Sequence, residues 1–216
     1  MVRTLLGLAL SVFPLAAWAC DTALVLMVDV SNSVDAAEYR LQTDGMAAAL
    51  RDPEIVDAMV RGQTAIAVVQ WSGVDQQALS IPWQRINTGL DAQALAAQAA
   101  AMPRAFVLSD TAPAEAVYFA LELFAQVPDC AHKVIDVSGD GTPNAGSDVR
   151  AARNAAERAG VTINGIAIES MGLAITGFYR NALITRNGFV ITARTHRDYP
   201  RAIRTKIFRE LSQVLG

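Results

Sequence analysis

Apolar positions along this chain follow two rhythms: short runs apolar at nearly every residue, and longer stretches in which apolar side chains return every three or four residues. Residues 23–30 (ALVLMVDV) are of the first kind, and a strand apolar on both faces must be covered on both faces, as in a parallel sheet. Residues 64–71 (TAIAVVQW), 133–138 (KVIDVS), 161–168 (VTINGIAI) and 188–193 (GFVITA) read the same way. Residues 78–86 (ALSIPWQRI) alternate more, and Pro82, which has no amide hydrogen for a ladder, assigns them to a sheet edge.

The second rhythm predicts helices. One spans residues 35–50 and is stopped by Arg51-Asp52-Pro53; others span 91–102, 111–126 and 148–159, the last with Ser147 as its cap and Gly160 at its end. Asp198 and Pro200 open a final helix with Ile203, Ile207, Leu211 and Val214 in one stripe. Residues 170–187 show little beyond a short helix near 178–184. Strands alternating with helices predict an α/β fold with a mostly parallel sheet and helices on both faces.

Composition narrows this further. With 216 residues, 52% of them hydrophobic and 18% charged, the chain suits one compact domain. A net charge of −3 supplies no basic field for phosphate backbones, so nucleic acid is not expected as a partner. Residues 1–19 read as a secretory signal peptide: Arg3, an apolar run from Leu5 to Phe13, Pro14, then Ala17-Trp18-Ala19 as the cleavage site. The expected organisation is therefore a leader over 1–19 and a single domain over 20–216, exported to the periplasm or beyond, with no membrane insertion in the mature form. Ala17 and Trp18 are poor residues for lipoprotein processing before Cys20. The only other cysteine is Cys130, and in an oxidising compartment the two are expected to pair.

The candidate chemistry gathers at strand ends. Residues 25–33 (VLMVDVSNS) carry an apolar strand into Asp29, Ser31 and Ser33, which point the same way in extended backbone. Asp140 follows another apolar strand, and Thr111 opens a predicted helix. In open parallel sheets ligands collect beyond the carboxyl ends of the strands. Two acids and three hydroxyls are hard oxygen donors, suited to Mg²⁺ or Mn²⁺, and no His or Cys accompanies them locally. Each residue also has a plainer reading: Ser31, Ser33 or Thr111 as helix caps, Asp140-Gly141 as a turn. Together they read as one cation site.

Asp29-x-Ser31-x-Ser33, a lone Thr111 before a helix and Asp140-Gly141 after an apolar strand resemble the metal-ion-dependent adhesion site (MIDAS) of von Willebrand factor type A domains. The resemblance covers nearly the whole expected mature chain and is strongest to a branch of secreted bacterial proteins of that type. It implies a doubly wound six-stranded sheet of order 3-2-1-4-5-6 with one antiparallel edge strand. Ser31, Ser33 and Thr111 would then coordinate the ion directly, with Asp29 and Asp140 acting mainly through water. An open position would take a carboxylate from a partner protein. That strand order also sets Cys20 and Cys130 at equal depth, opposite the metal, within disulfide reach. Ser109-Asp110-Thr111 departs from the family by adding Asp110, a third acid. Asn144 reads first as part of a Thr142-Pro143-Asn144 turn, with a hydrogen bond to the cation's ligands as the alternative.

The function expected is a non-catalytic, metal-dependent protein-binding module. The rival is a Mg²⁺-dependent, phosphatase-like hydrolase with Asp29 as nucleophile, although such enzymes place a second acid where Ser31 stands. Asp136, an acid within an apolar strand, is expected to be hydrogen-bonded or ion-paired. His132 and His196 read as surface loop residues.

Overall fold

A computed structural model describes residues 20–169 and 173–212; the expected leader and Val214 lie outside the described residues. Six strands form one sheet, β1 (Thr22–Asp29), β2 (Ala65–Trp71), β3 (Gln77–Arg85), β4 (His132–Gly139), β5 (Val161–Ile168) and β6 (Val190–Ala193), in the order β3-β2-β1-β4-β5-β6. Only the β2–β3 pair is antiparallel, and β3, with Pro82, is the edge strand. The sheet order and edge assignment expected from the sequence are therefore observed.

Every residue of β1 is buried, and alternation sorts its side chains onto two faces. Leu24, Leu26 and Val28 join Ile66 and Val68 beneath α1 (Ala36–Ala49), α2 (Pro53–Arg61), α3 (Gly89–Ala101) and the last helix. Val25 and Met27 join Val69 and Trp71 beneath α4 (Pro113–Leu123), α5 (Val149–Arg158) and Tyr179. A short α6 (Ala174–Phe178) runs into a π-helical turn (Tyr179–Leu183), and α7 (Tyr199–Ser212) closes the chain with Ile203, Ile207 and Leu211 buried. No helix among the described residues is long and apolar enough to cross a membrane.

Local chemistry refines three expectations. The stop at Arg51-Asp52-Pro53 holds, with α1 ending at Ala49, and the same residues open a further helix: Asp52 accepts from the amides of Glu54 and Ile55, and Pro53 takes the first helical turn, where its missing N–H costs nothing, so α2 forms. Asp148, rather than Ser147, caps α5 by accepting from Ala151 N, while Ser147 donates to Glu115. Among the described residues of 170–187, the short helix expected near 178–184 is present as the π-helical turn, and α6 precedes it from Ala174.

The disulfide is present. Thr22 pairs with His132 and the parallel register continues to Val28 and Ser138, so Cys20 and Cys130 face each other just before the strands, with Cα atoms 4.3 Å apart. Bridging residues 110 apart restricts the unfolded chain by about 4–5 kcal/mol in the chain-entropy picture.

Asp136 is ion-paired, as its place in an apolar strand requires. Lys206 Nζ, buried on α7, lies 2.6 Å from Asp136 Oδ1 and 2.6 Å from Glu210 Oε1, and Asn164 Nδ2 donates to the same Glu210 oxygen at 2.8 Å. Burial pushes the Asp136 carboxyl up against the pull of Lys206. Breaking such a buried pair strands a charge, whereas replacing the whole group by apolar side chains does not. Lys206→Met should cost about 3–5 kcal/mol, read as a lower denaturant midpoint. Combining it with Asp136→Leu and Glu210→Leu should recover much of that loss.

Candidate metal centre

The carboxyl ends of β1 and β4 lie side by side, and the segments leaving them carry the acids and hydroxyls singled out in the sequence. Asp29, wholly buried, accepts from the Ser31 amide at 2.7 Å through Oδ1. Its Oδ2 is buried without a hydrogen-bond partner among the described residues. Ser31 Oγ lies 3.1 Å from Ser33 Oγ, and Ser33 Oγ donates to Asp140 Oδ1 at 2.5 Å. An ideal Cβ on Gly141 would sit 3.6 Å from Thr111 Oγ1 and 4.0 Å from Ser33 Oγ, so Thr111 closes the same space.

Backbone contacts hold these segments in place. Asn32 N donates to Ser109 O at 2.9 Å, Ser72 Oγ to Asp110 O at 2.9 Å, and Ala112 N to Ser72 O at 2.8 Å, tying the Thr111 loop to the ends of β1 and β2. Thr111 N donates to Asn144 Oδ1 at 2.8 Å and Asn144 N to Thr111 O at 3.1 Å. Asn144 is thus more than a turn residue: it orients Thr111. Arg104 donates to the carbonyls of Val30 and Ser31. Asp110 is exposed at the rim.

The capping alternatives do not hold. Asp35 caps α1 with Glu38 completing a capping box, and α4 starts from Ala112 with no side-chain cap. The hydroxyls of Ser31, Ser33 and Thr111 are therefore free of helix ends, and Ser33 turns to Asp140 instead.

Several contributors escaped the sequence reading. His196 is not a surface residue: it is buried in a 3-10 turn (His196–Asp198) before α7, with Nδ1 3.0 Å from Glu38 Oε1 and Nε2 3.8 Å from Asp140 Oδ2. Its only advance signal was the capping box, which placed Glu38 beside the β1 loop. His132 is exposed, as expected. Tyr179 lies under the cluster from the opposite face. A Cβ on Gly139 would come within 2.7 Å of Asp29 Oδ2 and 2.8 Å of the Tyr179 hydroxyl, so glycine there allows both to crowd the strand end. Burial, then the charges of Asp29, Asp140 and Asp136, push the Tyr179 phenol well up, which keeps it neutral.

No group of three or more His, Cys, Asp or Glu side chains that could hold a metal is found among the described residues, so any cation here must rely on hydroxyl oxygens. Ser31 Oγ and Ser33 Oγ, 3.1 Å apart, are within coordination reach of one ion, since donors about 2.1 Å from a shared ion stand roughly 3–4 Å apart. The partnerless Asp29 oxygen is a second point of fit, because a buried carboxylate oxygen otherwise goes unsatisfied.

Residues 19–215 match the family model described as Protein of unknown function (DUF1194). The chain belongs to the DUF1194 family. No curated protein sequence matches it. Among solved structures, this DUF1194 chain is similar to proximal thread matrix protein 1 from the mussel byssus, with a TM-score of 0.66 and 20% identity over 90% of this chain and 48% of that one. It is also similar to a von Willebrand factor type A protein from Catenulispora acidiphila, with a TM-score of 0.59 and 19% identity over 91% and 43% of the two chains. The von Willebrand domain of the type V pili tip protein Mfa5 from Porphyromonas gingivalis aligns over 93% and 98%, with a TM-score of 0.65 and 10% identity. The chain spans about half the length of the mussel protein, one further structure of which has its MIDAS motif occupied by zinc. At these identities the likeness establishes the fold, that of von Willebrand factor type A domains.

Burial raises the Asp29 carboxyl from 3.8 to about 7, with the Ser31 hydroxyl and amide pulling it down and the Asp140 charge pushing it up. In the metal-free protein the folded state therefore holds this proton more tightly than the unfolded state. Its contribution to stability is complete below about pH 4 and is lost as pH rises to about 7. The raised Asp136 carboxyl acts with the same sign. Urea midpoints in the presence of chelator should fall across that window, and Asp29→Asn should flatten the fall; an identical slope in the variant would contradict the assignment.

Proposed function

We propose that this DUF1194 chain is an exported, non-catalytic binding module that holds a divalent cation, Mg²⁺ or Mn²⁺, at the sheet edge and uses it to engage a protein partner. The observation that carries this reading is the meeting of Ser31, Ser33, Thr111, Asp29 and Asp140 from three chain segments, with the hydroxyls free of capping duty. Ser31, Ser33 and Thr111 would hold the ion directly, with Asp29 and Asp140 behind them. Bound there, the cation would offer an electrophilic position to a carboxylate from the partner.

Ser33, Asp110 and Asn144 are exposed around the cluster, which leaves an approach for such a group. The zinc-occupied MIDAS of a structural neighbour supports use of a divalent cation. The pilus-tip neighbour and the Cys20–Cys130 disulfide support a place outside the cytoplasm. A hydrolase with Asp29 as nucleophile fits less well: the carboxyl is wholly buried, one oxygen is committed to the Ser31 amide, and burial favours its neutral form.

Saturating Mg²⁺ or Mn²⁺ should raise the melting temperature, since a ligand at about 100 times its Kd adds about 2.7 kcal/mol. Asp29→Ala should abolish the shift. Capture of exported proteins on the immobilised chain should be lost when chelator replaces Mg²⁺. A melting shift that survives Asp29→Ala would remove the assigned site, and capture indifferent to chelator would remove the cation from partner binding.

A further inference from the structure

An imidazole borders the oxygen cluster. His196 is 8% exposed, and its Nε2 is buried with no hydrogen-bond partner among the described residues. The opposite ring nitrogen is engaged: Nδ1 lies 3.0 Å from Glu38 Oε1. Glu38 cannot swing away freely, because its other oxygen accepts from Asp35 N at 2.9 Å in the α1 capping box. In the neutral ring, a proton on Nδ1 directed at this carboxylate leaves a lone pair on Nε2.

That lone pair faces Asp140 Oδ2, 3.8 Å away, too far for a hydrogen bond. A cation bound between them would relieve this confrontation of acceptors, as would a second proton on the ring. The separation is within the reach of two donors sharing one metal ion, each about 2.1 Å from it, in which case Asp140 would hold the ion through Oδ2 rather than through water. Asp140 is the same residue whose Oδ1 accepts from Ser33, so its carboxylate joins the hydroxyl cluster to the imidazole. A carboxylate fixing Nδ1–H while Nε2 points at the ion is the arrangement by which proteins orient metal-binding histidines.

We propose that His196 Nε2 is an additional ligand of the cation at this site, held in place by Glu38, and that it biases the site toward transition metals such as Zn²⁺ over Mg²⁺. This rests on the cation-binding reading above. Imidazole nitrogen suits zinc and its neighbours, whereas Mg²⁺ prefers oxygen, so one nitrogen among oxygens shifts selectivity without excluding either ion.

Calorimetric titration of the mature chain with Zn²⁺ and with Mg²⁺ tests this alongside a direct probe of the ring, the imidazole ¹⁵N resonances. Zinc should move the Nε2 resonance of His196 while Nδ1 stays protonated. His196→Ala should lower the ratio of Zn²⁺ to Mg²⁺ affinity by about tenfold or more, and Glu38→Gln should weaken Zn²⁺ binding by about tenfold. Ser33→Ala should weaken both ions. Zinc that binds with Nε2 unmoved, or an unchanged affinity ratio in a folded His196→Ala, overturns the role of His196 and leaves the cation site standing. A wild-type chain that binds neither ion overturns both. The resonance measurement needs no variant, so it decides the matter even where a substitution prevents folding.

Discussion

The parallel register between β1 and β4 is the constraint on which the rest depends. Because Thr22 lies opposite His132 and Val28 opposite Ser138, equal counts along the two strands bring Cys20 to Cys130 at one end and Asp29 beside the Gly139-Asp140 step at the other. A slip of one residue would turn every β1 side chain to the wrong face. It would also part the cysteines and separate Asp140 from Ser33. The covalent bridge and the polar cluster therefore express the same alignment, one locking it and the other using it.

The cluster sits where four layers of constraint converge. Asp29 is fixed by the Ser31 amide, Ser33 by Asp140, Thr111 by Asn144, and the loop carrying Thr111 by Ser72 and Asn32. On the α7 side, His196 and Glu38 reach the same acid, while the buried Lys206 ties α7 to β4 through Asp136. The last helix is thus joined to the sheet by a desolvated ion pair at its middle and to the site at its beginning.

Much of this was legible in the sequence, and the reasons differ by residue. β1 announced itself because a strand covered on both faces must be apolar throughout, and Pro82 marked the edge because it lacks a ladder donor. Asp29, Ser31 and Ser33 were visible because local spacing alone groups them. What escaped depended on either ambiguous punctuation or distant contacts. Asp52-Pro53 ends one helix and starts another with the same two residues, and a stop signal hid a start signal. Ser147 and Asp148 are both competent caps, and only the position of Glu115 decided which served. His196 lay far from the cluster in the chain, and no periodicity relates the turn before α7 to the loop after β1. Asn144 looked like any turn asparagine until Thr111 stood opposite its side chain.

The disulfide has a consequence for how the molecule carries load. Eight residues of β1 span about 26 Å, and Cys20 is stapled at the far end of that rod from Asp29. Force applied at Cys20 would therefore be shared by two bridged strands at the pole opposite Asp29.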